Sequence, residues 1–290
     1  MEKLRIVGVP EHFNFPWVEV VNSQPFLEEG TILEWKDEPK GSGAMNKDLR
    51  EGKADLAIIL TESFIKDKAE GNPARIVGWH VKSPLIWGIH ISSKANEENL
   101  NQVKNSPFLI SRFGSGSHLM AFLLAQREGW NKSDLKFEVI GDLGGAKQAF
   151  ESSVPKIFLW EKFTTKPLVD QGLFKRIGEI PTPWPCFVIV ASDEILNKNP
   201  ELIKKLRDLV YQKSKTLMQN DAMLKSISKK YGLQIEDIKA WRKQTEWCTD
   251  EIIQAETLEN TMAILNQLGL LSKSEITPKQ LVEERLVNLQ

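Results

Sequence analysis

The stretch Ser111-Arg112-Phe113-Gly114-Ser115-Gly116-Ser117-His118 offers the chain's clearest chemistry. A small, hydroxyl-rich turn that opens a helix leaves backbone N–H groups without intrahelical acceptors. Together with the positive end of the helix dipole, they form a receptor for an anionic or acceptor-rich group. Ser111, Ser115, Gly116 and Ser117 are therefore candidate ligand contacts, and the turn holds more small residues than one helix cap requires. Arg112 adds a positive charge, although strand alternation would point it outward. His118 falls in the first helical turn, where the dipole favours its neutral form. It would donate one N–H to a ligand or cap a contact with a neighbouring lobe. Gly41-Ser42-Gly43-Ala44 repeats the pattern upstream. There Ser42 and Gly43 would supply hydroxyl and backbone donors, and serine also caps helices.

Other candidates stand at strand ends. His12, Asn14, Phe15 and Trp17 follow the apolar segment Leu4–Val9, where doubly wound sheets place their ligands. An aromatic ring here would stack on a flat ligand while His12 or Asn14 orients it. The alternative is that Phe13, Phe15 and Trp17 staple the next helix to the core. Glu62 and Glu161 would receive an amine or amidine-like group; a helix-start glutamate is also a common capping charge. Trp160 and Trp184 are candidate aromatic walls. Cys186 lacks an activating pattern and reads as a buried, inert thiol. No residues are expected to be catalytic or to ligate a metal, and no cofactor is expected, since neither a P-loop nor a Cys/His zinc spacing is present.

The elements that must position these residues alternate. Strands are expected at Leu4–Val9, Thr31–Glu38, Asp55–Leu60, Arg75–Val81, Leu85–Ile91, Phe108–Ile110, Lys136–Ile140, Lys156–Trp160, near Phe174–Ile180, and at Phe187–Ala191. Helices fall between most of them, including one at Glu97–Lys104. Repeated strand–helix units predict an α/β fold with mostly parallel sheets. From Asp193 onward the chain reads as almost all helical. The alternation stops near Trp87–Ser92 and again near the proline-rich Pro181–Pro185. These passages predict two crossings between two lobes, with residues 1–88 and 189–290 in the first and 89–188 in the second. A cleft between them would be the site.

The bulk numbers fit this plan. With 290 residues the chain exceeds the size at which a single core usually stops growing. A net charge of -1 without a basic run argues against nucleic-acid binding. Two cysteines argue against a disulfide scaffold. No apolar run is long enough to span a bilayer, and the first residues enter a strand without a secretory segment. The expected location is cytoplasmic, or periplasmic if a signal peptide has been removed.

The order of these features resembles the type II periplasmic substrate-binding proteins of ABC transporters. The features are Leu4–Val9 with its loop aromatic, Gly41-Ser42-Gly43, Thr61-Glu62, Ser111–Ser117 and Trp160-Glu161. Within that fold the chain is most similar to the nitrate, sulfonate and taurine group, which includes thiamine-pyrimidine-precursor proteins, and to its branch without signal peptides. The resemblance implies two lobes, a two-strand hinge and a helical C-terminal tail. It also implies a small-molecule ligand bound between the lobes, with a transporter permease or a regulatory protein as a conceivable partner that no motif reveals. The cysteine-rich motif of the thiamine-pyrimidine synthase branch is absent, so that chemistry is not implied. A non-enzymatic binding module is the expected function. A cytoplasmic enzyme of thiamine-precursor type and a ligand-sensing regulatory module are the alternatives.

Overall fold

The computed structural model describes residues 1–271 and 276–290. Its first lobe begins with strand β1 (Glu2–Gly8), helix α1 (Phe15–Ser23), β2 (Thr31–Asp37), α2 (Ser42–Arg50), β3 (Leu56–Leu60), α3 (Thr61–Ala69) and β4 (Ala74–Val81). The chain then crosses to β5 (Ile86–Ser92), β6 (Phe108–Ile110), α4 (Gly116–Arg127), β7 (Phe137–Val139), α5 (Leu143–Ala149), β8 (Ile157–Glu161), α6 (Lys166–Asp170) and β9 (Phe174–Pro181). It returns as β10 (Phe187–Ser192).

The two sheets share one topology. Their orders are β2-β1-β3-β10-β4 and β7-β6-β8-β5-β9. In each, three strands pair in parallel. A strand next to a crossing then inserts antiparallel to both of its neighbours, β10 in the first sheet and β5 in the second. The sheets are thus parallel in one half and antiparallel in the other. The switch follows from the crossings, because β5 and β10 enter each sheet from the opposite lobe.

Sheet membership puts all of Ile86–Ser92 in the second lobe and all of Phe187–Ser192 in the first. The crossings are therefore residues 82–85 and 182–186, and divisions at 88 and 189 would cut through both strands. Thr182 Oγ1 ties the crossings together, accepting the Leu85 N–H at 3.0 Å and donating to the Trp184 carbonyl at 2.9 Å.

Burial explains the apolar runs. Leu56, Ala57, Ile58 and Ile59 of β3 and Val188–Ala191 of β10 are fully buried, as central strands covered on both faces must be. One continuous core spans both lobes, and a smaller one gathers Leu109, Phe150, Phe158 and Phe174 inside the second.

The tail is mainly helical: α7 (Asp193–Lys198), α8 (Pro200–Gln219), α9 (Ala222–Tyr231), α10 (Ile235–Gln244), β11 (Ile252–Ile253), α11 (Ala255–Gln267), α12 (Pro278–Leu281) and β12 (Asn288–Leu289). It clasps the first lobe, α8 lying on α1 and α11 on α3. Two features depart from an all-helical reading. The short strands β11 and β12 pair in parallel, and Val282 bridges Ile76 of β4. The helix expected at Glu97–Lys104 is a single 3-10 turn at Leu100–Val103, closed by a capping box between Asn99 and Gln102. A reciprocal cap stabilises one turn but not its propagation.

Candidate functional site

The carboxyl ends of β1, β3, β6 and β8 converge with the start of α2 on a cleft between the lobes. The cleft encloses about 520 Å³ of empty space, part of it open to solvent. Its donor-rich wall comes from two helix starts. In the second lobe, Ser115 caps α4 by accepting the His118 N–H at 3.4 Å. Its Oγ lies 3.0 Å from that of Ser117, which in turn accepts the Ser111 N–H at 3.1 Å. In the first lobe, Ser42 Oγ accepts the Leu60 N–H at 3.2 Å, fixing the start of α2 against β3. Among the described residues, the N–H groups of Ser42, Gly43, Gly116 and Ser117 find no acceptor. Ser42 from the first lobe and Gly116 and Ser117 from the second line the same cavity, so free donors of both lobes border it.

Arg112 does not point outward. It reaches across the cleft and donates to the Lys40 carbonyl at 3.2 Å, and its guanidinium lies over Gly43, where an added methyl would overlap it. Gly116 is also tightly enclosed: a methyl there would stand 2.9 Å from Leu60 and 3.1 Å from Trp87. Both glycines permit the lobes to approach, since carbon–carbon contacts are most favourable at about 3.5–4.0 Å.

The opposite wall is acidic and aromatic, with Glu11, Trp87, Trp160, Glu161 and Phe187 lining the same cavity. Glu161 ends β8 and lies directly opposite Trp87 of β5, while its Oε2 accepts the N–H groups of Phe163 at 2.9 Å and Thr164 at 2.6 Å. Burial pushes the Glu161 carboxyl up to about 7. Burial, then the neighbouring Glu161, raises Glu11 to about 8. Trp160 is stacked on Phe158, with ring centroids 5.4 Å apart.

Of the residues singled out in the sequence, Ser42, Ser111, Ser115, Gly116, Ser117, Trp160 and Glu161 line this cavity. Gly43 lies under Arg112 at its edge. The strand-end group does not line it. His12 is buried against Trp241, with ring centroids 4.3 Å apart. Its Nε2 stands 4.0 Å from Glu161 Oε2, but burial holds its pKa down at about 3, so the pair is not ionic. Asn14 donates to the Val9 carbonyl at 2.8 Å and shapes the loop. Phe15 and Trp17 are core residues, Trp17 with no exposed surface. The staple reading holds for them because α1 must bury its apolar face under α8. The cavity instead takes Val9 and Glu11 from this loop.

Glu62, Trp184 and His118 also lie away from the first cavity. The Trp184 indole N–H donates to Glu62 Oε2 at 2.8 Å, anchoring the second crossing to α3. Glu62 and His118 border a smaller cavity behind the Gly114–Gly116 turn. There His118 Nδ1 accepts the Gly114 N–H at 3.0 Å, and burial, then Lys66, lowers its pKa. Cys186 is wholly buried in the second crossing, its thiol pushed well up by burial. Among the described residues, no group of three His, Cys, Asp or Glu side chains is placed to hold a metal ion, and no helix is long and apolar enough to cross a membrane.

Comparison with known proteins agrees with this architecture. A family model described as Ca3427-like PBP matches residues 87–180. The Candida albicans CA3427 gene product, described as exhibiting the generic periplasmic binding protein fold, superposes with a TM-score of 0.86 at 28% identity. That match covers 100% of this chain and 98% of the other. The alkanesulfonate-binding protein SsuA of Xanthomonas axonopodis pv. citri, bound to MOPS, gives a TM-score of 0.79 at 15% identity, over 100% and 99% of the two chains. The periplasmic nitrate-binding protein NrtA of Synechocystis PCC 6803 gives 0.72 at 13%, over 95% and 83%. No curated protein matches the sequence. The chain thus has the type II periplasmic-binding-protein fold, and its second lobe carries the match to the Ca3427-like proteins.

Proposed function

We propose that the chain is a binding module that closes its two lobes around a small organic or inorganic ligand with an anionic or acceptor-rich end. The observation that carries this reading is the pair of helix starts, at Ser42 and Gly116, whose free N–H groups face one cavity from opposite lobes. Arg112 supplies a cation at the same place. Structural likeness to an alkanesulfonate-binding and a nitrate-binding protein supports the same class. Closure about residues 82–85 and 182–186 would be driven by the ligand's preference for the closed state.

The test is native mass spectrometry of gently purified protein, joined to small-angle scattering with and without the molecule identified. A co-purifying small anion that compacts the chain is the expected result. A molecule retained undiminished by Gly116→Val, whose added methyls would enter the cavity, would sink the reading, as would an unchanged scattering profile. Cytoplasmic residence is part of the proposal; two unpaired, buried cysteines accord with a reducing compartment. Cell fractionation that finds the chain outside the cytoplasm would refute it. Delivery of the ligand to a permease or a regulatory protein is the corresponding proposal for a partner, and affinity capture with and without the ligand addresses it.

A further inference from the structure

We infer that the cleft has a second subsite, formed by Glu11, Glu161 and the indole N–H of Trp87, for a nitrogen group that carries hydrogen. Its ligand is then small and bifunctional, with an anionic or acceptor-rich end at the serine turns and an amino or amidino end at the carboxyls. This inference rests on the proposed reading of the cleft as a binding site.

Three observations carry it. Glu11 and Glu161 come from opposite lobes and line the same cavity. Trp87 lines it too, is 5% exposed, and its Nε1 has no partner among the described residues. Because Trp87 and Glu161 are directly opposed on neighbouring strands, their side chains share one sheet face. That wall therefore presents a donor without an acceptor beside two carboxyls, one of which, Glu161, already accepts two backbone N–H groups through Oε2.

A simple anion has acceptors only. Closing over it would set a further negative group beside two carboxyls and supply no donor to the oxygens that backbone N–H groups leave free, which is costly for desolvated polar groups. An amino or amidino end removes that cost, while an acceptor elsewhere on the ligand satisfies Trp87. The aromatic faces of Trp87, Trp160 and Phe187 suit the short carbon link between the two ends.

The groups that set the charge here are few. Glu161 faces Glu11, the neutral His12 and Arg176, and its field reaches the Cys186 thiol. Glu11 faces Glu161 and Trp160, and Tyr231 lies within its field. Burial raises both carboxyls, so near neutral pH the pair holds a proton. An arriving ammonium would make the carboxylate form favourable, and that proton would leave to solvent. Binding of an amine-bearing ligand should therefore release protons.

The test uses matched probes on the full chain by titration calorimetry, in two buffers of different ionisation enthalpy. The pairs are 2-aminoethanesulfonate with ethanesulfonate, 3-aminopropionate with propionate, and 2-aminoethyl phosphate with ethyl phosphate. In at least one pair the amino member should bind about tenfold tighter or better, with proton release, as one charge-assisted hydrogen bond would give. Glu11→Gln and Glu161→Gln should each shrink that preference to about twofold. The glutamine at 161 keeps an acceptor for Phe163 and Thr164, and the Glu11 side chain caps nothing, so folding is retained in at least one variant. Equal or tighter binding of the amine-free member in every pair would overturn the subsite, as would a preference that both variants leave intact. Failure of all six probes to bind would also overturn it. The cleft reading would fall separately, only if native mass spectrometry also finds no co-purified molecule.

Discussion

Replacing Glu62 by glutamine should make the protein more resistant to unfolding at pH 8 while changing little at pH 5. Glu62 is 2% exposed, and burial pushes its pKa from the ordinary 4.5 up to about 7. Its own backbone N–H and the Trp184 indole pull the other way and do not win. Between those two values the folded protein holds a proton that the unfolded chain has lost, so stability falls as pH rises through the window. A tenfold change in a proton-binding constant is worth about 1.4 kcal/mol, which puts a ceiling of about 3 kcal/mol on the loss. Glutamine mimics the protonated acid: it accepts the Trp184 N–H and cannot ionise. At pH 5 variant and parent should match. By pH 8 the variant should lead by up to about 3 kcal/mol, or roughly 6 °C in Tm at about 2 °C per kcal/mol for a chain of this size. Comparing the two proteins at each pH removes the parallel titrations of Glu11 and Glu161 and the opposing ones of the buried histidines, which both proteins share. Urea unfolding from pH 5 to pH 8 measures the gap. A gap that is constant over this range, or a variant weaker at pH 8, would refute the account of burial as the cause.

Two further outcomes follow from contacts. Gly43→Val places a side chain where the Arg112 guanidinium lies, so it should weaken cross-cleft closure as Arg112→Ala does. In a double-mutant cycle read by hydrogen exchange at the cleft, the second substitution should add almost nothing to the first. Trp17→Ala removes a side chain with no exposed surface and should cost about 3–5 kcal/mol of stability in chemical unfolding; a loss under about 1 kcal/mol would mean that α1 is not held by this residue.

The parts of the site legible in the sequence are those made by backbone. Gly41–Gly43 and Ser111–Ser117 announce themselves because a strand end followed by small residues and an apolar helix leaves few alternatives. Ser42, Ser115 and Ser117 accordingly sit on the cavity. The parts that are not legible depend on tertiary direction. The loop after β1 does reach the cleft, but its cavity-lining polar residue is Glu11, not His12. A 3-10 turn at His12–Asn14 rotates His12, Phe13 and Asn14 into the core, and nothing in local periodicity fixes where such a turn starts. Trp87 and Phe187 read as strand residues without a face, since a fully apolar run has no alternation to show which side is open. The outward direction expected of Arg112 fails because alternation is a rule of strands, and β6 ends at Ile110.

The same topology explains why the two walls of the cleft differ in kind. Each donor turn belongs wholly to its own lobe, following β2 in one and β6 in the other, so each is visible within one short window. The acidic and aromatic wall is assembled from both lobes and both antiparallel strands: Glu11 after β1, Trp87 on β5, Glu161 on β8 and Phe187 on β10. Its members stand far apart in sequence and meet only because β5 and β10 cross between sheets. A glutamate beside proline after β1 is an ordinary surface residue until the second lobe closes over it. Burial then raises its pKa, and in the inferred subsite it would discriminate between ligands. On the proposed reading, the donor turns draw an anion in and the composite wall decides which anion stays.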